Sequence, residues 1–241
     1  MSIIDDLISS IINDASIQDV RQGPFQTAVL SRYCGLASTP SNQGYEHGTA
    51  MVTGAGHLIG RSALDVAQLT KSENNFEATI GMATVNSLID IDETKCTELN
   101  AVDLLIDKTE GRNMALVGHF PFIPRLKQSA KELWVIEQRP RPGDHDASEA
   151  NELIPRADVV GITGQTFVNG TIDALLKLCR HDAYVVLIGG TSPISELLFD
   201  YGVDAICGTM VTDANKAMLT VSQGGIFRQI DGKKLLTMIK E

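Results

Sequence analysis

Short apolar runs alternate with segments of helical period throughout residues 111–241. The runs consist of Val, Ile and Leu and are bounded by turn-forming residues, which is typical of strands buried on both faces of a sheet. We predict strands at 114–117, 133–137, 159–163, 184–188 and 205–207, and helices at 123–131, 147–154, 171–179, 194–201 and 214–220. This order predicts an α/β fold with a doubly wound, Rossmann-like parallel sheet.

The upstream part of the chain has a different pattern. Ser2 is placed to cap a helix that reaches about residue 13, because isoleucines and a leucine follow it at helical spacing. Strand-like runs at 17–22, 25–31 and 33–37 come next, and helical periodicity returns at 62–69 and 75–89. A polar, glycine-containing stretch at 108–112 marks a join. We therefore predict a smaller α+β domain over 1–110 and a Rossmann-like domain over 111–241.

Composition excludes several classes of partner. The net charge is −10 without a basic cluster, so nucleic acid is not an expected partner. No apolar run approaches the ~20 residues that span a bilayer, and the first residues carry acids where a secretory signal has Lys or Arg. We expect a cytoplasmic protein with no membrane partner and with reduced cysteines, and base rates favour a homodimer.

Small and polar residues follow each predicted strand. Right-handed crossovers bring the C-terminal ends of parallel strands to one edge of the sheet, where ligands of such folds bind. The sequence thus predicts a pocket there for a small polar or anionic ligand. Ordinary turn and cap chemistry is the alternative explanation. The candidate ligand-binding residues are Gly118, Phe120, Glu137, Arg139, Thr163, Gly164, Thr166, Asn169, Thr171, Gly189, Gly190, Thr191 and Ser192, with Asn86 from the upstream domain.

Two side chains are candidates for catalytic proton transfer. His119 lies at the predicted binding edge and imidazole titrates near neutral pH, although a histidine hydrogen-bonded into the turn fits the sequence equally. Asp144 is either a second acid/base group or the cap of a helix that begins near residue 146. Glu137 either accepts hydrogen bonds from a ribose or another diol, or is an exposed strand end.

The functional interpretation of other motifs is weaker. The stretch 189–193 offers backbone N–H groups and hydroxyls for an anion, with Pro193 at a predicted first helical position. The glycines of 54–60 have the spacing of a nucleotide-binding loop, but they lack the strand before and the helix after that such a loop requires. Glu46, His47 and His57 are residue types that can bind a metal, but they lack the spacing of a metal site. We therefore predict no metal site. The segment 77–86 is either a packing helix or part of a cleft between the domains.

The combined motifs resemble the putative heavy-metal chelation family. They are Gly118-His-Phe-Pro-Phe122, Gly143-Asp144, Ile162-Thr-Gly-x-Thr166, Asn169-Gly-Thr171 and, upstream, Glu77-x-x-Ile-Gly-x-Ala-x-x-Asn86. Gln165 and Gly190 stand where the family pattern has Thr and Pro. The resemblance implies a Rossmann-like domain preceded by an enolase-N-like domain, with a site at their interface.

The same resemblance implies a role with metal-chelating compounds of pterin-like, flavin-like or siderophore-like type, by condensation or hydrolysis. Chelation is then a property of the small molecule. A non-catalytic protein that binds or delivers a metal chelate is the first alternative. An S-adenosylmethionine-dependent methyltransferase that uses Glu137 for the ribose is the second. The sequence does not identify a cofactor, which stays unknown.

Overall fold

The large sheet holds the predicted strands in parallel, as expected. The fold comes from a computed structural model that describes residues 2–40 and 51–241. Its eight strands have the order β4-β11-β10-β9-β8-β5-β6-β7. They are β4 (Cys96–Thr97), β5 (Asn113–Val117), β6 (Glu132–Glu137), β7 (His145–Asp146), β8 (Val159–Thr163), β9 (Tyr184–Ile188), β10 (Ala205–Val211) and β11 (Lys233–Ile239). The α/β, mostly parallel fold class is confirmed.

The edge of the sheet differs from the prediction. Strand β11 pairs with β10 antiparallel over seven residues, and β4 pairs antiparallel with β11. β10 also continues to Val211 instead of ending at residue 207. Strands β4 and β11 were not predicted from the sequence; they add an antiparallel edge to the five predicted parallel strands, because the chain reverses direction between β10 and β11 through a helix and a 3-10 turn.

Helices cover both faces of the large sheet. The α-helices after residue 100 are α4 (Ala101–Thr109), α5 (Ile123–Ser129), α6 (Ala150–Leu153), α7 (Gln165–Val168), α8 (Ile172–Leu178) and α9 (Ala214–Ser222). Two predicted helices are different: 147–154 is a short α6 between 3-10 turns, and 194–201 is a 3-10 helix over Glu196–Tyr201. No α-helix therefore begins at Pro193, and the predicted helical position of that proline was wrong.

The upstream residues form the expected α+β arrangement. Helix α1 (Ile3–Ser10) begins at a capping box between Ser2 and Asp5. Strands β1 (Asp19–Gln22), β2 (Gln26–Leu30) and β3 (Cys34–Ser38) form an antiparallel sheet. Helix α2 (Ala63–Ala67) continues as a 3-10 turn, and α3 (Asn75–Leu88) is buried around most of its surface. The packing interpretation of 77–86 agrees with this burial.

The two sheets share one apolar core. Ile3 of α1 and Met82 of α3 belong to the same buried cluster as Ile162 and Leu187 of the large sheet. Upstream of residue 110, β4 already pairs in the large sheet and α4 packs on α5. Because hydrophobic burial is continuous, the small sheet is held firmly against the C-terminal edge of the large one.

Candidate functional site

Many of the predicted residues converge at the C-terminal edge of the large sheet. A cleft of about 550 Å³ opens there, a volume in the range of small-molecule sites. We call it the polar cleft. Pro40 and Phe76 of the upstream residues form part of its wall. The predicted residues that line it are Gly118, His119, Phe120, Glu137, Arg139, Thr163, Thr166, Asn169 and Thr171.

A hydrogen-bonded His–Asp pair lies at this cleft. His119 Nδ1 is 3.0 Å from Asp144 Oδ2, and the side chains are 24% and 6% exposed. Burial alone would raise the pKa of Asp144, but the Arg141 N–H and the His119 ring hold this pKa below its ordinary value. Asp144 does not cap the next helix, since Asp146 accepts the Ser148 N–H in that role. The cap interpretation of Asp144 was therefore wrong.

Because Asp144 is ionised, Nδ1 of His119 carries the hydrogen that lies between them. In the neutral imidazole, Nε2 is then the nitrogen with a lone pair, and this is the form that accepts a proton from a bound molecule. An Asp that fixes the tautomer of a His in this way is a recurring arrangement in acid/base catalysis. The geometry is compatible with general-base chemistry at His119.

Glu137 connects the ends of two neighbouring strands. One carboxylate oxygen, Oε1, accepts the His119 N–H at 2.7 Å, and Oε2 accepts the Gln138 N–H at 3.1 Å. Gly118 precedes this contact with a φ of +108°, which turns the chain sharply at the end of β5. Each carboxylate oxygen has a second lone pair, so Glu137 can hold the corner and still accept a hydrogen bond from a ligand.

The loop from Thr163 to Thr171 uses part of its polarity internally. The Thr166 hydroxyl donates to Thr163 O at 2.7 Å. Asn169 Oδ1 accepts both the N–H and the hydroxyl of Thr171. These contacts are the cap chemistry that was the alternative explanation, and they fix the loop that forms one wall of the polar cleft.

The loop after β9 connects the two sheets. The Thr191 hydroxyl is buried; it accepts the Ser38 N–H at 2.9 Å and faces Gln165 Oε1 at 3.4 Å. Asn86 Nδ2 donates to the carbonyls of Leu36 and Thr191. Both Asn86 and Thr191 thus hold β3 and α3 against the large sheet.

The remaining residues of this loop are packed rather than open. Ser192 is buried against Gly164, and its hydroxyl has no hydrogen-bond partner within the part of the chain that the structure describes. Gly190 is buried under the ring of Phe227. Gly164, Ser192 and Asn86 do not line the polar cleft. With no helix N-terminus at Pro193, the geometry does not form the anion cradle expected at 189–193.

A second cleft of about 700 Å³ adjoins the first. His119, Phe120 and Thr163 line both. We call it the apolar cleft, because its surface is mainly apolar. The aliphatic and aromatic side chains come from the segment after β5, from α4, from β11 and from the turn around Phe227. Gly189, Gly190 and Thr191 face this cleft and not the polar one.

Sequence reasoning missed the apolar cleft almost entirely. Its walls include Val102, Phe122, Phe227 and Leu235, from four separate parts of the chain. Asn100, which caps α4, and the apolar Leu104 and Leu105 were available signals for that helix. Nothing local in the sequence indicates that α4 and β11 line the same cleft.

The weaker motifs have structural roles or lie outside the described residues. Glu77 accepts the Thr53 N–H and the Ser72 hydroxyl, and the Ser72 contact is the main cause of its lowered pKa. His57 lies in the exposed turn that contains the glycines of 54–60. Glu46 and His47 fall outside the described residues. Within 2–40 and 51–241, no group of three or more His, Cys, Asp or Glu side chains could hold a metal ion.

Two further features bear on chemistry and location. All four cysteines are free thiols, and burial raises the pKa of Cys34 and of Cys179 to about 12. Neither is therefore poised as a thiolate nucleophile at neutral pH. Across 2–40 and 51–241, the helices are all too short or too polar to cross a bilayer.

Two solved structures are similar over nearly the whole chain. One, from Desulfitobacterium hafniense DCB-2, has a TM-score of 0.87 at 24% identity and covers 99% of this chain and 98% of its own. The other, from Pyrococcus horikoshii, has a TM-score of 0.81 at 20% identity, with 98% of both chains covered. Both are described as proteins with unknown function from the DUF364 family. At these identities they show the fold.

Sequence comparisons give the family. A curated relative, an uncharacterised protein of Methanocaldococcus jannaschii, is 28% identical over 168 residues, which are 67% of this chain. The chain spans 65% of that relative's length. Family models described as "Putative heavy-metal chelation" match residues 4–89 and 100–240. Since the model for residues 100–240 alone matches more than half of the sequence, the chain belongs to the family with this description, as the motifs around Gly118 and Asn86 indicated.

Proposed function

We propose that the protein binds a small, polar, metal-chelating compound in the polar cleft and acts on it by condensation or hydrolysis. The compound is of heteroaromatic or siderophore-like type. His119 takes up or returns the proton that either reaction requires, and Asp144 orients the imidazole. The observation that carries the proposal is the Asp144–His119 hydrogen bond at the wall of a cleft of ligand size.

The lining of the polar cleft supports a polar ligand with heteroatoms. Glu137 offers carboxylate lone pairs and Arg139 adds positive charge, while Thr163 and Asn169 supply hydroxyl and amide groups. Arg139 has interactions of its own in the fold, so its charge contributes to the potential of the cleft and need not contact the ligand. Mixed donors and acceptors of this kind suit a molecule whose own N and O atoms chelate a metal.

The chemistry expected of His119 is ordinary proton transfer. In hydrolysis, Nε2 would remove a proton from the attacking water and later return it to the leaving group. In condensation, it would remove the proton from the attacking nucleophile and return it to the group that the new bond displaces, which leaves as its protonated form. General base catalysis of this type contributes about 10²–10⁴-fold to a rate. The Asp144 carboxylate stabilises the imidazolium that forms.

The test begins with the material that the protein carries. Native mass spectrometry and elemental analysis of the purified full chain should reveal a bound small molecule, and Glu137→Gln should lower its occupancy. The His119→Ala variant should retain that molecule but lose its turnover. Retention with no turnover by the unaltered chain would support instead a protein that binds or delivers a metal chelate. Absence of any bound compound, and of binding by siderophore-like and pterin-like compounds in calorimetry, would overturn the proposal.

A further inference from the structure

The apolar cleft has the dimensions and lining of a binding site. Its volume of about 700 Å³ lies within the 300–1,000 Å³ typical of small-molecule sites. Three of its lining residues are large apolar side chains with substantial exposure: Leu99 at 39%, Ile226 at 39% and Leu235 at 51%. A cluster of exposed apolar side chains around one concavity usually marks a binding surface.

Aromatic rings form part of the cleft wall. The rings of Phe120 and Phe122 stack with centroids 5.0 Å apart and planes 21° from parallel. Phe227 also lines the cleft, and its ring lies against Gly190. Flat aromatic surfaces favour a planar aromatic group, because ring stacking adds to the hydrophobic effect.

The charge at the cleft has one sign. Among the described residues that line it there is no carboxylate, and Arg228 is the one side chain with a full positive charge. Within 2–40 and 51–241, Arg228 forms no ion pair. In a chain whose net charge is −10, an arginine beside an apolar hollow favours an anionic group on the occupant.

The two clefts meet at His119. Because His119, Phe120 and Thr163 line both, a molecule longer than one cleft can reach from the polar walls to the aromatic ones. We propose that the apolar cleft is a subsite for a planar aromatic group bearing an anionic substituent, as one part of the ligand whose polar part occupies the polar cleft. This proposal rests on the proposed function. It adds that the substrate class is an aromatic acid or its conjugate.

The test uses two probes that differ in one charge. These are 8-anilinonaphthalene-1-sulfonate and the neutral N-phenyl-1-naphthylamine, titrated into the full chain with direct excitation of the probe. We expect Leu235→Trp to fill the mouth of the cleft and to weaken sulfonate-probe binding about tenfold or more. Leu219→Trp is the matched control, because Leu219 is an exposed leucine (56%) outside the cleft. Arg228→Gln should weaken binding of the sulfonate probe several-fold and leave the neutral probe unaffected.

Ile226→Trp serves as a second blocking variant at another lining position, and circular dichroism checks that each variant is folded. Equal sulfonate-probe binding by Leu235→Trp, Ile226→Trp and the unaltered chain would overturn the subsite, as would equal effects of Arg228→Gln on both probes. Probe binding that falls as protein concentration rises would also overturn it, since a second copy of the chain would then cover the cleft. These results do not depend on a co-purified compound, so the subsite and the proposed function can fail separately.

Discussion

The glycine corners after β5 and after β9 look alike in sequence but have different roles in the structure. Gly118 and Gly189 have nearly equal φ angles, +108° and +112°, and polar residues follow both. After β5, His119 lines both clefts and pairs with Asp144. After β9, the Thr191 hydroxyl contacts Ser38 and Gln165. A polar residue at a strand end is thus available to a ligand only where it keeps hydrogen-bonding capacity that the fold does not use.

The largest effect should come from the first corner. We expect His119→Ala to lower turnover of the compound recovered with the unaltered chain by about 10²–10⁴-fold, because no other group replaces the base. The free energy of unfolding should fall by only about 1 kcal/mol, because the variant loses a single side-chain hydrogen bond, the one to Asp144. Single-turnover kinetics and urea unfolding measure the two quantities. If His119→Ala unfolded easily and kept its turnover, His119 would be a structural residue and not the base.

At the contact that supports the corner after β9, we expect the main loss to be in stability. Asn86→Ala removes the amide that donates to the carbonyls of Leu36 and Thr191. Leaving these carbonyls without their partner should cost about 2 kcal/mol of unfolding free energy. The midpoint of urea unfolding measures this loss, and His119→Ala is the control. If the two variants were equally stable, Asn86 would not hold the sheets together.

The fold could be predicted where local patterns decide it. The Val, Ile and Leu runs of β8 and β9 are buried on both faces, so their sequence alone indicates parallel strands. Strand β11 begins with Lys233 and Lys234 and shows neither clean alternation nor helical period. Its pairing with β10 depends on the path of the chain after β10, and local sequence patterns do not predict that path.

The site could be predicted only as a set of strand ends. Parallel topology brings His119, Glu137 and Thr163 together, and this follows from the order of elements. The pairing of His119 with Asp144 joins residues 25 positions apart through a turn that sequence does not specify. For the same reason, nothing in the sequence distinguishes Thr191, which lies in the contact between the sheets, from Thr163, which faces both clefts.

A smaller effect should separate the corner glycines themselves. A Cβ at Gly118 would lie 3.0 Å from Thr163 Cβ and 3.1 Å from the Phe120 ring, whereas one at Gly189 meets nothing within 4 Å among the described residues. Both substitutions to Ala incur the cost of a positive φ, about 1–2 kcal/mol. Gly118→Ala should cost about 1 kcal/mol more than Gly189→Ala in urea unfolding. Equal losses of unfolding free energy in the two variants would mean that Thr163 can move away from the added methyl group without cost.

The smallest effect concerns the pH dependence of the His–Asp pair. Because the folded pKa of Asp144 lies below its unfolded value, ionised Asp144 stabilises the fold above the unfolded pKa, about 3.9. That stability is lost as pH falls through the folded pKa. Asp144→Asn should therefore be less stable than the unaltered chain by about 1 kcal/mol near pH 6, with the difference shrinking below about pH 4. Thermal unfolding of the variant and of the unaltered chain across this range measures it. A difference that grew in acid would mean that the neutral carboxyl of Asp144 is the form that the fold prefers.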